Sequence, residues 1–207
     1  MNQTIKNIEK IKYEYTKTPL SYQITEYDCG QTTFLNALRY LFKRSEIEPE
    51  VIKTIMQITL DVDNKKGEIG KGGTSIYAIE FLSNWINNIS KISKMKMKTQ
   101  IIKGKDVNIN NIDFKKCLAN GGVAILRVWQ SEEHYVLCTK IEGEYVYLFD
   151  PYYLNINYYD KDKDCEIIKD RSFEYNRKVK ISRLEENNKK DFTFVDGENR
   201  SMLLISR

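Results

Sequence analysis

Gln23-Ile-Thr-Glu-Tyr-Asp-Cys29-Gly30 runs straight into Gln31-Thr-Thr-Phe-Leu-Asn-Ala-Leu-Arg-Tyr-Leu-Phe-Lys43, and this junction decides how the chain is read. Phe34, Leu35, Leu38, Leu41 and Phe42 fall at i, i+1, i+4, i+7 and i+8, which is one apolar stripe of a helix over 29–43. Asp28 stands where an N-cap belongs, with Gln31 three residues on in the capping-box position. Cys29 then occupies the first turn. There, unpaired backbone N–H groups and the positive end of the helix dipole favour the thiolate, the reactive form of the side chain. Gly30 leaves the backbone open to close approach. Gln23 lies six residues upstream in a segment expected to be extended. Its side-chain amide and the Cys29 backbone N–H can point at one spot, as a tetrahedral oxyanion requires.

Downstream of this helix the pattern stays helical for a while. A second helix is expected over 48–59, and a third after Gly72-Gly73, capped by Thr74 or Ser75. The third carries Ile79, Leu82, Ile86 and Ile89 on one face, widened by Phe81 and Trp85. Residues 111–119 suit one more short helix. The second half reads as strands. Segments 123–129, 134–140 and 144–150 are rich in Val, Tyr and Leu, and weaker strands fit 98–103, 177–183 and 201–206. The charged stretch 160–176 reads as a surface loop with room for a hidden strand. Helices first and an antiparallel sheet after make the class α+β, in one domain over 1–207, helical to about residue 97 and sheet from about 98. Gly67-Glu-Ile-Gly-Lys-Gly-Gly-Thr-Ser75 fails as a phosphate-binding loop. Aligned from Gly67, glycine stands at the lysine position, so a loop capping a helix is the better reading.

His134 is the one histidine of the chain, and it opens a strand, His134-Tyr-Val-Leu-Cys-Thr-Lys140. The next strand ends Tyr147-Leu-Phe-Asp-Pro151. Ile141-Glu142-Gly143 suits a three-residue hairpin loop with glycine in the left-handed position. Counting from it, Lys140 faces Glu144, Cys138 faces Val146, Val136 faces Leu148 and His134 faces Asp150. Directly opposed side chains have Cβ atoms about 4.5–5.5 Å apart. The register therefore predicts an Asp150 oxygen within about 3.2 Å of a His134 ring nitrogen. Each feature alone has an ordinary reading: a small buried cysteine, a packing histidine, an Asp-Pro turn. Together they make a thiolate, an imidazole base and a carboxylate to fix its tautomer. Cys138, four residues after His134, could suggest a metal, but without further ligands it reads as core.

Composition sets the outer bounds. With 207 residues, 41% hydrophobic, the chain is long enough for a core, and 30% charge does not make it a disordered composition. Lys+Arg 33 against Asp+Glu 29 gives +4, too mild and too scattered for a nucleic-acid partner. No apolar run approaches the ~18 residues of a membrane span. Met1 to Tyr15 lacks the apolar centre of a secretory signal, so a cytoplasmic protein is expected. The four cysteines show no short paired spacing, so neither zinc nor disulfides are indicated, and no metal or cofactor is expected.

Gln23-x5-Cys29-Gly30 opening a helix, Gly73-Thr-Ser75 opening a later one, His134-Tyr-Val on a strand and Asp150-Pro151 some sixteen residues on resemble the double-glycine leader peptidases. These papain-like enzymes trim bacteriocin precursors, often as the N-terminal domain of an export transporter. The resemblance covers about Gln23 to Pro151. It implies a papain-like fold, a cysteine peptidase acting through a thioester, and a Gly-Gly leader peptide as substrate. It assigns Cys29 as nucleophile, His134 as base, Asp150 as its orienting group and Gln23 as oxyanion donor. An export transporter is a candidate partner. Two rivals stand beside this reading: an acyltransferase using the same residues with an amine acceptor, and an inactive peptide-binding domain.

Overall fold

The computed structural model describes residues 17–207; the reading of Met1 to Tyr15 as lacking a signal falls outside them. Helix α1 is Cys29–Leu41. Pro49 at its first turn starts α2 (Pro49–Ile58). Ser75 caps α3 (Ile76–Ile89), its hydroxyl accepting from Ala78 N at 3.1 Å. Asn111 caps α4 (Ile112–Ala119), its amide oxygen accepting from Asp113 N and Phe114 N. Ile181–Leu184 is a single helical turn, α5, so the strand expected over 177–183 stops short.

The strands are β1 (Lys98–Lys103), β2 (Val123–Gln130), β3 (Glu132–Glu142), β4 (Tyr145–Phe149), β5 (Cys165–Ile167), β6 (Arg177–Lys180) and β7 (Ser201–Ser206). They form one antiparallel sheet in the order β1-β7-β2-β3-β4-β6-β5. β5 lies inside the charged stretch 160–176 as a three-residue edge strand. The order of elements is the α+β one expected from sequence.

Alternation in the central strands gives the sheet two buried faces. Val123, Ile125, Leu137, Phe149, Leu203 and Ile205 pack under α1–α3 with Phe34, Leu38, Ile79 and Leu82. Ala124, Leu126, Val128, Val136, Cys138 and Leu148 form the opposite face with Phe114, Phe192 and Phe194. Each such buried aliphatic or aromatic side chain contributes about 1.5–3 kcal/mol. Cys138 thus sits in this second core.

The β3–β4 hairpin differs from the counted register. Glu142 pairs with Tyr145 across a two-residue turn, Gly143-Glu144, with Gly143 at φ 59°. Ile141 pairs with Val146 and Lys140 with Tyr147, but Cys138 pairs with Leu148, leaving Thr139 as a bulge. The two-residue turn alone would oppose Leu137 to Asp150 and turn the carboxylate to the wrong face. The bulge restores the parity. His134 and Asp150 share a face as diagonal rather than direct neighbours.

Candidate active site

Cys29, the first residue of α1, is buried, and its helix is locked to the sheet one turn later by a buried hydrogen bond. Thr33 Oγ1 donates to the Tyr135 carbonyl at 2.9 Å, next in sequence to His134. Gly30 makes this approach possible. A Cβ there would lie 2.7 Å from the Thr74 side chain and 3.1 Å from the Tyr135 ring. Its lack of a side chain serves packing of α1 against β3 and the 72–75 loop, not the access for substrate expected from sequence.

Asp28 holds the N-cap position but its carboxylate accepts no backbone N–H of the helix start, contrary to the capping box expected with Gln31; its one bond into the first turn is a long one from Thr32 Oγ1, 3.4 Å. Its carboxylate turns back onto the preceding loop, accepting from Ile24 N at 3.1 Å and from Thr25 N and Oγ1 at 2.8 Å. These bonds shape the loop that carries Gln23. Gln23 N donates to the Pro151 carbonyl at 2.9 Å, which fastens the loop beside Asp150. Gln23 Nε2 donates one hydrogen to the Thr25 carbonyl at 2.8 Å. Its second amide hydrogen is available to another acceptor.

His134 Nε2 lies 2.9 Å from Asp150 Oδ1, and both side chains are buried. With Nε2 committed to Asp150, Nδ1 is the ring nitrogen left for the Cys29 thiol. Tyr152 stands edge-on to the imidazole at 6.5 Å between ring centroids. Burial alone would raise the Cys29 thiol, but the His134 charge and hydrogen bond, with backbone bonds from Tyr135 and Gly30, bring it below the ordinary value. Burial would lower His134; the Cys29 charge first, then the bond to Asp150, push it up to about 10. The favoured state is thus a thiolate–imidazolium pair. Asp150 is lowered too: burial acts to raise it, but His134 and then Arg177 outweigh that.

The structure therefore brings His134 and Asp150 into a hydrogen-bonded pair beside Cys29, with Gln23 lining a cavity next to His134. It also places three residues that sequence reasoning missed. Gln130 Nε2 donates to Asp150 Oδ2 at 3.1 Å, and the buried Arg177 guanidinium pairs with the same oxygen at 3.1 Å. Asn176 makes a two-way clasp with the Asp150 backbone, both bonds at 2.8 Å. No local signal marks Asn176 and Arg177: they lie 26 and 27 residues away, and β4–β6 pairing brings them in. Among the described residues no group of acidic, cysteine or histidine side chains suits a metal ion, and no helix is long and apolar enough to cross a membrane.

No curated protein matches the chain. Among solved structures, the crystal structure of a double glycine motif protease from an AMS/PCAT transporter, in complex with the leader peptide, aligns with TM-score 0.46 and 13% identity over 92% of either chain. The model of the Peptidase_C39 like family matches residues 15–181, most of the sequence: the α+β fold is the papain-like one, and the chain belongs to that family.

Proposed function

We propose that this chain is a cysteine peptidase in which Cys29 attacks a peptide carbonyl, His134 serves as base and acid, and Asp150 orients the imidazole. The observation that carries this is the bond of 2.9 Å from His134 to Asp150, beside a buried thiol that the His134 charge holds below its ordinary pKa. The thiolate adds to the carbonyl carbon, and the oxyanion is met by the Cys29 N–H and the free amide hydrogen of Gln23. His134 gives its proton to the leaving amine as the C–N bond breaks. Water, deprotonated by the now neutral His134, then hydrolyses the thioester.

Family membership supports peptide chemistry. The sequence resemblance narrows the proposed substrate to a precursor whose leader ends in Gly-Gly, trimmed in the cytoplasm by one domain over 1–207 and passed to an export transporter. Purified protein mixed with a synthetic precursor containing a Gly-Gly junction should release the leader, and Cys29→Ala should abolish release. An intact precursor, with Cys29 still selectively alkylated, would remove the Gly-Gly substrate and leave the thiol chemistry. Appearance of an amide adduct with an added amine, without free acid, would favour acyl transfer.

A further inference from the structure

Two cavities flank the Cys29–His134 pair. One, about 330 Å³, is lined by His134, Gln23, Tyr152, Leu154 and Tyr158. The other, about 360 Å³, is lined by Cys29, Gly73, Thr74, Arg127, Trp129 and Tyr135. The proposed reaction gives each a side of the substrate. When the thioester forms, the amine takes its proton from His134 and departs on the histidine side, while the acyl group stays on the Cys29 sulfur. The cavity containing Cys29 but not His134 is thus where the acyl part lies.

Its wall holds an unusual set of groups. Arg127 Nε and Nη1, Trp129 Nε1 and the Tyr135 hydroxyl are buried and have no hydrogen-bond partner among the described residues. Arg127 is 9% exposed and Tyr135 4%. Unpaired buried polar groups are few in folded proteins, and each calls for an explanation. Here four such atoms belong to three residues that line one cavity beside a nucleophile, and all four can donate. Burial, the foremost influence on Tyr135, raises its pKa and keeps the hydroxyl protonated.

Charge decides which acceptor they suit. Arg127 is already paired through Nη2 with Glu133. Glu26, Glu132 and Glu133 line the cavity against Lys71 and Arg127, so a carboxylate would enter surroundings that are net negative. Carbonyl oxygens of an extended peptide bring acceptors and no charge. Gly73, at φ 88°, lines the same cavity without a side chain. We propose that Arg127, Trp129 and Tyr135 form the acyl-side subsite, donating to main-chain carbonyls of the residues immediately before the scissile bond. This rests on the cysteine-peptidase reading above.

The test compares two reagents that attack the same sulfur. Iodoacetamide reports the Cys29–His134 pair and needs no subsite. An N-acetyl-Ala-Gly-Gly chloromethyl ketone occupies only the acyl side. Tyr135→Phe removes a hydroxyl that makes no hydrogen bond within the described residues, so its melting temperature should not fall. Trp129→Phe also changes the ring under Lys189, so its melting temperature and iodoacetamide rate are read beside the peptidyl rate. Each should slow inactivation by the peptidyl reagent by about 10-fold, the effect of leaving a carbonyl unmet, while the iodoacetamide rate stays within about twofold. Equal rates with the peptidyl reagent in wild type and both variants would overturn the subsite. So would a wild type that resists the peptidyl reagent although iodoacetamide labels Cys29 selectively. Absence of selective Cys29 labelling would instead bring down the catalytic reading itself.

Discussion

Cys117, Cys138 and Cys165 serve as internal controls for Cys29, because burial raises all three thiols, Cys138 and Cys165 to about 12. Only Cys29 has an imidazole to reverse that effect. Brief alkylation near neutral pH, mapped by peptide, should therefore label Cys29 first, with a rate that titrates below the ordinary thiol value of 9.0. In His134→Ala the counter-charge is gone and burial remains, so the Cys29 titration should move above 9.0; a profile unchanged by the substitution would detach His134 from the thiol. Gln23 tests the oxyanion separately. Its side chain makes one exposed bond to Thr25 O, so Gln23→Ala should fold and be alkylated almost as wild type. Peptide turnover should fall by about 10²–10³, the effect of losing one oxyanion donor. Unchanged turnover would remove Gln23 from the mechanism.

The β3–β4 hairpin carries the geometric argument at the scale of elements. The pairing of these strands was legible from their Val- and Tyr-rich composition, but the register was not. Packing chooses it: the Thr139 bulge lets Ile141, opposite Val146, pack against the second core, where regular alternation would have sent Lys140. No residue type announces that choice. Helix α3 was legible because periodicity and a cap residue agree for it and α1 because its apolar stripe is long, whereas β5 is too short to rise out of its charged loop. If Thr139 is a surplus residue, its deletion leaves Cys138 opposite Leu148 and Lys140 opposite Tyr147 in an unbroken ladder. His134 and Asp150 would then keep their shared face. The deletion variant should show a cooperative melt and fast, selective alkylation at Cys29. Deleting Val136 instead slides His134 by one place, to the other face, and should lose that reactivity. A folded Thr139 deletion with a sluggish Cys29 would refute the parity argument.

For the whole molecule, the thiolate–imidazolium pair couples folding to pH. A raised His134 contributes stability that is complete below its unfolded value of 6.5 and is lost as pH climbs through about 10. A lowered Cys29 contributes stability that is complete above 9.0 and is lost as pH falls towards its folded value. Above 6.5, and between the folded Cys29 value and 9.0, the two slopes oppose each other: the folded pair holds one proton on the imidazole, and the unfolded pair holds one on the thiol. The pair should therefore give a plateau across that window. Above it, stability should fall between 9.0 and about 10, as the folded pair keeps a proton that the unfolded chain has released. Towards acid it should fall as the unfolded pair comes to bind two protons while the folded thiolate holds none, and the lowered Asp150 adds a separate fall as pH drops through its unfolded value of 3.8. Urea unfolding midpoints measured from pH 3 to 10.5 read these limbs against the other titrating side chains common to all variants. Cys29→Ser removes the largest influence raising His134, so the fall between 9.0 and 10 should vanish from the variant while the Asp150 part of the acid limb persists. Wild-type and Cys29→Ser midpoints running parallel from pH 3 to 10.5 would mean that the thiol and the imidazole do not share a proton in the folded protein.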